Sequence, residues 1–293
     1  MGASMTWELD LARLLSAIAA GTLLSFAGSL VQLTGRNELA SPSTLGMDGA
    51  AVFIVMLSYG LEGFGFSVGS LADTSFLLGL VLSLLLWLIV KKTKWRSNGD
   101  FRVILLLGLS VNLFVGSLFA VMQFLAMAFN REFPEQLWFG RMQTLSSLGW
   151  GLSVLVWLPM LSFVFYYRRS WKALLLGVGW CRGLGIPVDK IVGGSLLLAF
   201  ISTLWVVTQF GVFSFLGLLA PLLLRQLPRY RGAPWREMTD GALLAGVFFA
   251  ALDHVCFNIT FHGAEIPVGL PSALFGAAAL VGLLWIRARK LLE

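Results

Sequence analysis

The sequence contains few charged residues and few cysteines. Only 12% of its 293 residues are Asp, Glu, Lys or Arg, whereas a soluble domain averages roughly a quarter. This scarcity excludes an ordinary soluble domain, because the apolar residues also come in long blocks. The two cysteines, Cys181 and Cys256, are too few for a disulfide framework, and we expect both to be unpaired.

The motifs of soluble enzymes are also missing. The sequence has no GxxxxGK[ST] phosphate-binding loop, no CxxC pair and no HExxH. Its two histidines are His254 and His262, and we expect neither to bind a metal ion, because a lone histidine is usually a structural residue. The sequence therefore excludes Walker-type ATP binding by this chain. It also offers no cluster of nucleophiles, acids or metal ligands for a membrane-embedded enzyme.

Long apolar segments are what the sequence does contain. A membrane-spanning helix needs about 20 apolar residues, and we find apolar spans at about 11–33, 46–61, 71–90, 103–129, 146–166, 191–209, 211–226, 238–260 and 265–287. The second and seventh of these are short for a full crossing, so we expect half-helices buried in protein. The pattern predicts an all-α polytopic membrane protein with about nine transmembrane or half-spanning helices in a single domain, residues 1–293.

The basic residues concentrate in alternate loops. If the loop at 91–102 is cytoplasmic, the same side holds all but three of the 21 basic residues, the exceptions being Arg13, Arg131 and Arg141. Cytoplasmic loops carry an excess of Lys and Arg. We therefore expect the N-terminus outside, the C-terminus inside, and basic loops that signal orientation rather than bind nucleic acid.

A polar turn, residues 35–46, separates the first span from the second. Pro42 should end any helix that precedes it, Gly46 permits a tight re-entry, and Arg36 can place its charge in water or among headgroups.

We expect Asp48 and Asp253, both near span ends, to be structural, with Asp48 able to cap a helix. Small residues recur at helical spacing in three spans and predict ordinary helix packing: Gly21, Ser25 and Gly28; Gly193, Gly194 and Ser195; Gly241, Ala245 and Gly246.

The basic loop at 167–190 allows two interpretations. Its apolar residues recur at helical spacing between glycines and arginines. Such a segment can lie on anionic lipid, or it can form a short helix that docks into a groove on a cytoplasmic partner.

Three stretches together resemble the FecCD-type permeases, the permease subunits of bacterial ABC importers for iron-siderophores, haem and vitamin B12. They are GTLLSFAGSLVQLTGRNELASPSTLGMDGAA (21–51), GVFSFLGLLAPLLLR (211–225) and EIPVGLPSALFGAAALVGLL (265–284). They occur in the order and spacing of that family. The resemblance implies a permease like that of the vitamin B12 importer. Family members usually have ten spans, and residues 11–33 match the second of them. The resemblance therefore implies either that the fold does without the first span or that the true start lies upstream.

The resemblance also implies roles for particular residues. The loop at 167–190 would couple the chain to ATPase subunits through Gly177, Cys181, Arg182, Gly183, Leu184 and Gly185. Residues Arg36, Asn37 and Pro42 would form the cytoplasmic turn. The pathway or dimer interface would include Gly211, Phe215, Gly217 and Pro221. An extracytoplasmic binding protein would dock near Arg13, Arg131 and Arg141.

The implied function is transport of an iron chelate, a ferric siderophore first and haem or cobalamin as alternatives, across a bacterial cytoplasmic membrane. Partners would be ABC ATPase subunits, a second permease that is an identical or a sister chain, a binding protein and membrane lipid. ATP and Mg would bind the partner ATPase, so this chain would be no enzyme and hold no cofactor. An ion-coupled secondary transporter is the competing interpretation, and it would need intramembrane charges.

Four positions depart from the family pattern. Glu38 stands where the family has proline, Leu222 where it has histidine, and Phe257 where it has an arginine. Asp10 also replaces one arginine of a pair whose other member is Arg13. These differences leave open how a binding protein would dock.

Overall fold

The computed structural model describes residues 3–62, 65, 70–92, 101–129, 136–230, 232–261 and 264–292. The elements in chain order are α1 (Ala3–Gly35), α2 (Met47–Glu62), α3 (Leu71–Lys92), α4 (Phe101–Ala128), α5 (Gln136–Phe139), α6 (Ser147–Tyr166), α7 (Ser170–Leu176), α8 (Val178–Gly183), α9 (Val188–Phe210), α10 (Leu216–Arg225), α11 (Pro234–Asn258), β1 (Thr260–Phe261), β2 (Ala264–Glu265) and α12 (Gly269–Leu292).

Every predicted span corresponds to one helix of the described chain, and the prediction of an all-α polytopic protein is confirmed. Six helices contain a stretch long and apolar enough to cross a membrane, namely α1, α3, α4, α6, α9 and α11. The seventh predicted span is the ten-residue α10, and only Gly269–Leu283 of α12 is apolar. The sequence did not predict the short α5, nor the pairing of the two-residue strands β1 and β2.

Helix ends follow the local sequence. Gly211 has a φ of 87°, which ends α9, and Pro234 opens α11 at a position where its missing N–H costs nothing. Ser146 caps α6 by accepting a hydrogen bond of 2.8 Å from the backbone N–H of Gly149. Cys181 and Cys256 are both free, as the sequence predicted.

A buried carboxylate, Asp73, joins the beginnings of two helices to the end of a third. The hydroxyls of Ser70 and Ser146 donate to its Oδ2 over 2.8 and 3.1 Å, and the side-chain amide of Gln209 donates to Oδ1 over 3.1 Å. Asp73 therefore lies at the N-termini of α3 and α6, where the helix dipoles favour a negative charge. The interaction fixes α3, α6 and α9 against one another.

Helix α1 lies at the centre of the bundle and packs against α9, α10 and α11. Helices α2 and α3 pack against each other and against α9, and α4 packs on α2. The bundle has two polar ends. We call the end where α1 begins and α11 finishes the Arg13 face, and the end where α1 finishes and α7 packs the Arg36 face.

Close backbone contact sets the position of α1. A Cβ on Gly28 would lie 1.6 Å from the carbonyl oxygen of Gly217 in α10, and a Cβ on Gly21 would lie 2.8 Å from the carbonyl oxygen of Ala245 in α11. Gly246 in turn has no room for a Cβ, which would lie 2.6 Å from the Thr22 side chain. The small residues of α1 and α11 therefore serve helix packing, as the sequence predicted.

We predict that Gly28→Ala forces α1 and α10 apart. Overpacking of a core costs about 1–3 kcal/mol and sometimes more, so thermal unfolding of the purified protein in detergent should shift clearly downward. Gly193→Ala is the matched control, because no described residue outside the local helix backbone lies within 4 Å of a Cβ built there. Equal unfolding temperatures for the two variants would contradict the packing of α1 described above.

Candidate functional site

The basic loop at 167–190 forms two short helices on the Arg36 face. Helices α7 and α8 are separated by the single residue Gly177, whose φ of 117° and ψ of 156° break the helical path. Pro187 then precedes α9. The loop therefore presents a bent pair of helices, which we call the coupling loop.

Buried side chains anchor the coupling loop to the bundle. Trp171 and Cys181 have no exposed surface, and Leu174 is almost fully buried. All three belong to one apolar cluster with α1, α6, α9 and α11. The indole N–H of Trp171 also donates to the carbonyl oxygen of Val164 over 3.0 Å. The position of the loop is therefore fixed by the core.

The opposite side of the coupling loop exposes large apolar side chains. Trp180 is 72% exposed, and Leu176 and Leu184 are exposed to a similar extent. Arg182 stands between them, half exposed, and makes an ion pair of 3.3 Å with the exposed Asp189. Because an exposed ion pair contributes little to stability, Arg182 is free to rearrange. An apolar patch with a basic residue beside it is typical of a protein-interaction surface.

The predicted coupling residues fall on both sides of this loop. Gly177 is the joint, Cys181 faces the core, and Arg182, Gly183, Leu184 and Gly185 are exposed. Sequence reasoning missed Leu176 and Trp180, the most exposed apolar side chains of the two helices. Helical spacing could have found Trp180, because the residue next to a buried Cys181 points away from the same core.

The polar turn lies against the coupling loop. Asn37 closes the end of α1, because its backbone N–H bonds to the carbonyl oxygen of Gln32 over 3.2 Å and its side chain accepts from the Leu39 N–H over 3.0 Å. Arg36 has a φ of 50°, unusual for a residue other than glycine. A Cβ built on Gly177 would lie 3.6 Å from Arg36 Nη1, so the turn adjoins the joint of the coupling loop.

The second half of the polar turn is tied to α2 and α4. Pro42 begins a 3₁₀ turn at Ser43–Leu45, and Gly46 ends it with a φ of 75°. The Asn112 side chain donates to the carbonyl oxygen of Ser43 and accepts from the Gly49 N–H over 2.9 Å. Asp48 accepts a hydrogen bond from the Ser43 hydroxyl. The turn re-aims the chain into α2, as the sequence predicted.

The break between α9 and α10 holds the third predicted set. Gly211 and Phe215 both have positive φ, 87° and 66°, and Gly217 and Pro221 are buried. A Cβ on Gly276 of α12 would lie 2.3 Å from that of Phe215. Within one chain these four residues fix how α10 packs on α1 and α12, and their role in a pathway or dimer interface stays a prediction.

Four charged residues form an ion-pair cluster at the Arg13 face. Arg13 binds Asp253 through two hydrogen bonds, Nε to Oδ2 over 2.8 Å and Nη2 to Oδ1 over 3.0 Å. Glu265 accepts from Arg13 over 3.3 Å and from Arg141 over 3.1 Å. The guanidinium of Arg13 also lies 4.4 Å from the centre of the Phe257 ring. The cluster joins the start of α1, the end of α11, β2 and the segment before α6.

The members of this cluster differ in accessibility. The side chains of Arg13 and Asp253 are 15% and 4% exposed, whereas that of Arg141 is 44% exposed. Asp253 is therefore structural, as predicted, and Arg141 is the arginine that faces solvent. Arg131, also predicted for docking, lies outside the described residues, as does His262. In the described part of the chain, no three His, Cys, Asp or Glu side chains are grouped as a metal site would need.

These features define a class of protein. Apolar helices that span a membrane, a bent helix pair with an exposed apolar patch on one face, and a charged cluster on the other are the parts of a multi-pass membrane permease. The FecCD transport family model matches residues 1–286. The chain belongs to the FecCD transport family, and it is a permease subunit of an ABC importer.

Individual relatives agree with this assignment. The chain is 25% identical to the vitamin B12 import permease BtuC of Photorhabdus laumondii over 97% of this chain and 82% of the relative. It is 27% identical to the ferric enterobactin permease FepG of Escherichia coli, over 97% and 83%. It is 28% identical to the iron(3+)-hydroxamate permease FhuG of Bacillus subtilis, over 95% and 82%.

A solved structure supports the fold. It shows an inward-facing conformation of a candidate metal-chelate type ABC transporter, with a TM-score of 0.72 at 21% identity, over 94% of this chain and 85% of that one. The resemblance to a permease of the vitamin B12-importer type is confirmed at the level of fold.

The ion-pair cluster predicts a pH dependence of stability. Burial raises the pKa of Glu265, but hydrogen bonds and charges from Arg141 and Arg13 outweigh it, so the net pKa lies below the ordinary 4.5. A lowered folded-state pKa means that Glu265 stabilises the fold fully above that ordinary value. This contribution should disappear as the pH falls through the lowered pKa.

The measurement compares Glu265→Gln with the unaltered protein by thermal unfolding from about pH 7 to about pH 3. We expect the variant to be less stable near neutral pH and the gap to close in acid. Glu62→Gln, outside the cluster, is the matched control and should show no such convergence. A gap that stays constant over the whole range would contradict the ion pairing of Glu265.

Proposed function

We propose that this chain is the permease subunit of an importer that moves an iron chelate, most simply a ferric siderophore, across the cytoplasmic membrane. A separate ATPase would dock on the coupling loop and supply the energy. The observation that carries the proposal is the coupling loop itself, whose core-facing side is anchored by Trp171 and Cys181 while Trp180 and Leu184 are exposed. An amphipathic helix of this kind fits a groove on a partner.

The same surface supports a proposed orientation of the chain. The ATPase is cytoplasmic, so the Arg36 face would be cytoplasmic and the Arg13 face, where α1 begins, would face outward. A binding protein would then approach the ion-pair cluster, where Arg141 is the accessible arginine. The other partner would be a second permease, identical or sister, as the family resemblance implies.

Relatives favour an iron chelate without excluding the alternative. FepG and FhuG are named for ferric enterobactin and iron(3+)-hydroxamate, whereas BtuC is named for vitamin B12, and the three are similarly distant from this chain. Cobalamin, and haem, therefore remain the second candidate. Uptake of radiolabelled iron chelates and of cobalamin by cells expressing the chain with its neighbouring transport genes decides between them.

We predict that Arg182→Glu uncouples transport from ATP hydrolysis. A reversed charge in the exposed patch would disturb docking, whereas the folding cost is small because the pair with Asp189 is exposed. Asp189→Asn is the matched control, since it removes the same ion pair without reversing the charge of Arg182. We expect substrate uptake to fall at least tenfold for Arg182→Glu and to change little for the control. Normal uptake by Arg182→Glu would refute the coupling assignment.

The orientation is tested by thiol labelling. Because Cys181 and Cys256 are buried, the unaltered chain should react little with a membrane-impermeant reagent, and single exposed cysteines can be added to it. Trp180→Cys should react only when the cytoplasmic side is opened, and His254→Cys, on the Arg13 face, should react in intact spheroplasts. The reverse pattern would overturn the orientation.

A further inference from the structure

A cavity of about 400 Å³ lies on the Arg36 face between the end of α1, the coupling loop and α10. Three leucines and several polar side chains line it: Leu33, Leu174, Leu175, Gln32, Arg36, Asn37, Glu38, Arg225, Tyr230 and Glu237. Two of these residues, Gln32 and Arg36, carry polar groups that the described part of the chain leaves without a partner.

Gln32 supplies an unmatched acceptor at the inner end of the cavity. Its residue surface is 1% exposed, and its side-chain N–H group donates to the carbonyl oxygen of Leu218 over 3.3 Å. Its Oε1 atom accepts no hydrogen bond from any described residue. A buried acceptor without a donor is unfavourable, so a bound group that donates a hydrogen bond there would be favoured.

Arg36 supplies an unmatched cation at the outer end. The exposed residue has the strained φ of 50° noted above, and strain of this kind clusters at ligand-binding positions. Its guanidinium makes no ion pair with the described residues. Glu237, the buried carboxylate of the cavity, is already held by Arg225, with Nε and Nη2 at 2.7 and 2.6 Å from its Oε1. Among the described residues, Arg36 is therefore the cation of this cavity that has no carboxylate partner, and it is placed to bind an anion.

The chemistry of the two groups defines the ligand. Gln32 lies in the last turn of α1, and Arg36 is the first residue after the helix, so the two groups lie close together at one end of the chain's central helix. The buried Gln32 calls for a hydrogen-bond donor in a cavity that the carboxylate of Glu237 also lines, and the exposed Arg36 calls for an anion. The leucines of the same lining suit a short apolar spacer. An ammonium and a phosphate joined by two methylene groups satisfy all three requirements.

We propose that this cavity binds an ethanolamine phosphate group, with the ammonium at Gln32 and the phosphate at Arg36. The group can come from the headgroup of a zwitterionic phospholipid or from the free phosphomonoester. Because Leu174 and Leu175 belong to α7, the bound group would bridge α1 and the coupling loop. The proposal concerns binding alone, so it stands or falls independently of the transported substrate.

Two binding experiments with the full chain distinguish the sources. In detergent, free ethanolamine phosphate is titrated by calorimetry, with inorganic phosphate as the comparison. In nanodiscs that contain equal amounts of phosphatidylethanolamine and phosphatidylglycerol, native mass spectrometry measures which lipid the protein retains. Binding of either source, with preference over the comparison anion or lipid, supports the site.

The variants test the residues. Arg36→Asn removes the guanidinium and tolerates the positive φ, and Gln32→Leu removes the acceptor at similar volume. Each should weaken the observed binding at least about tenfold, because a hydrogen bond to a charged group is lost. Arg168 is an exposed arginine of the coupling loop that does not line the cavity. The variant Arg168→Asn should therefore leave the observed binding unchanged. Unfolding temperatures close to that of the unaltered protein show that the variants fold.

Three results would overturn the proposal. One is that neither source binds to the chain. Another is that inorganic phosphate and phosphatidylglycerol bind as well as the ethanolamine compounds, which would reduce the site to an unspecific anion contact. The third is that folded Arg36→Asn and Gln32→Leu proteins bind as well as the unaltered chain.

Discussion

Helix α1 can occupy the centre of this bundle only because its backbone touches the backbones of its neighbours. Burial among apolar tails gains little for helices that already lie in lipid, so packing and polar contacts must hold them together. Gly28 against Gly217, and Gly21 against Ala245, allow that contact along two different neighbours. The coupling loop, the polar turn and the ion-pair cluster each lie at an end of α1. The position of the helix therefore determines the geometry of both faces.

The two faces are held by different forces. At the Arg13 face, a partly buried pair between Arg13 and Asp253 draws α1 to α11, and removing one partner of such a pair costs about 3–5 kcal/mol. At the Arg36 face, burial of Trp171, Leu174 and Cys181 in the core holds the coupling loop, and the ion pair between Arg225 and Glu237 joins α10 to α11. Under the proposed function, a partner ATPase would act at this second face.

The sequence predicted what depends on local pattern. Apolar length located nine of the twelve helices that the structure describes, and Pro42 and Gly46 located the turn. It could not predict contacts between distant residues. Arg13 and Asp253 are 240 positions apart, and Asp73 finds Gln209 across 136 positions. Periodicity predicts which face of a helix is apolar, but it does not predict which distant residue will pair with a charged side chain. For the same reason Cys181, predicted to be a coupling residue, could not be assigned to the core before the fold was known.

The residue at position 257 affects how the neighbouring charged residues pair. An arginine in its place would put a second cation beside Arg13, where the two would share the carboxylates of Asp253 and Glu265. The ring instead lies 4.4 Å from the Arg13 guanidinium, an attraction worth about 0.5–2 kcal/mol. It therefore holds Arg13 in place without competing for its partners. A docking protein would meet a site whose central arginine is already satisfied. The carboxylates of the docking protein would have to bind at Arg141 or displace Glu265, which is more exposed than Asp253.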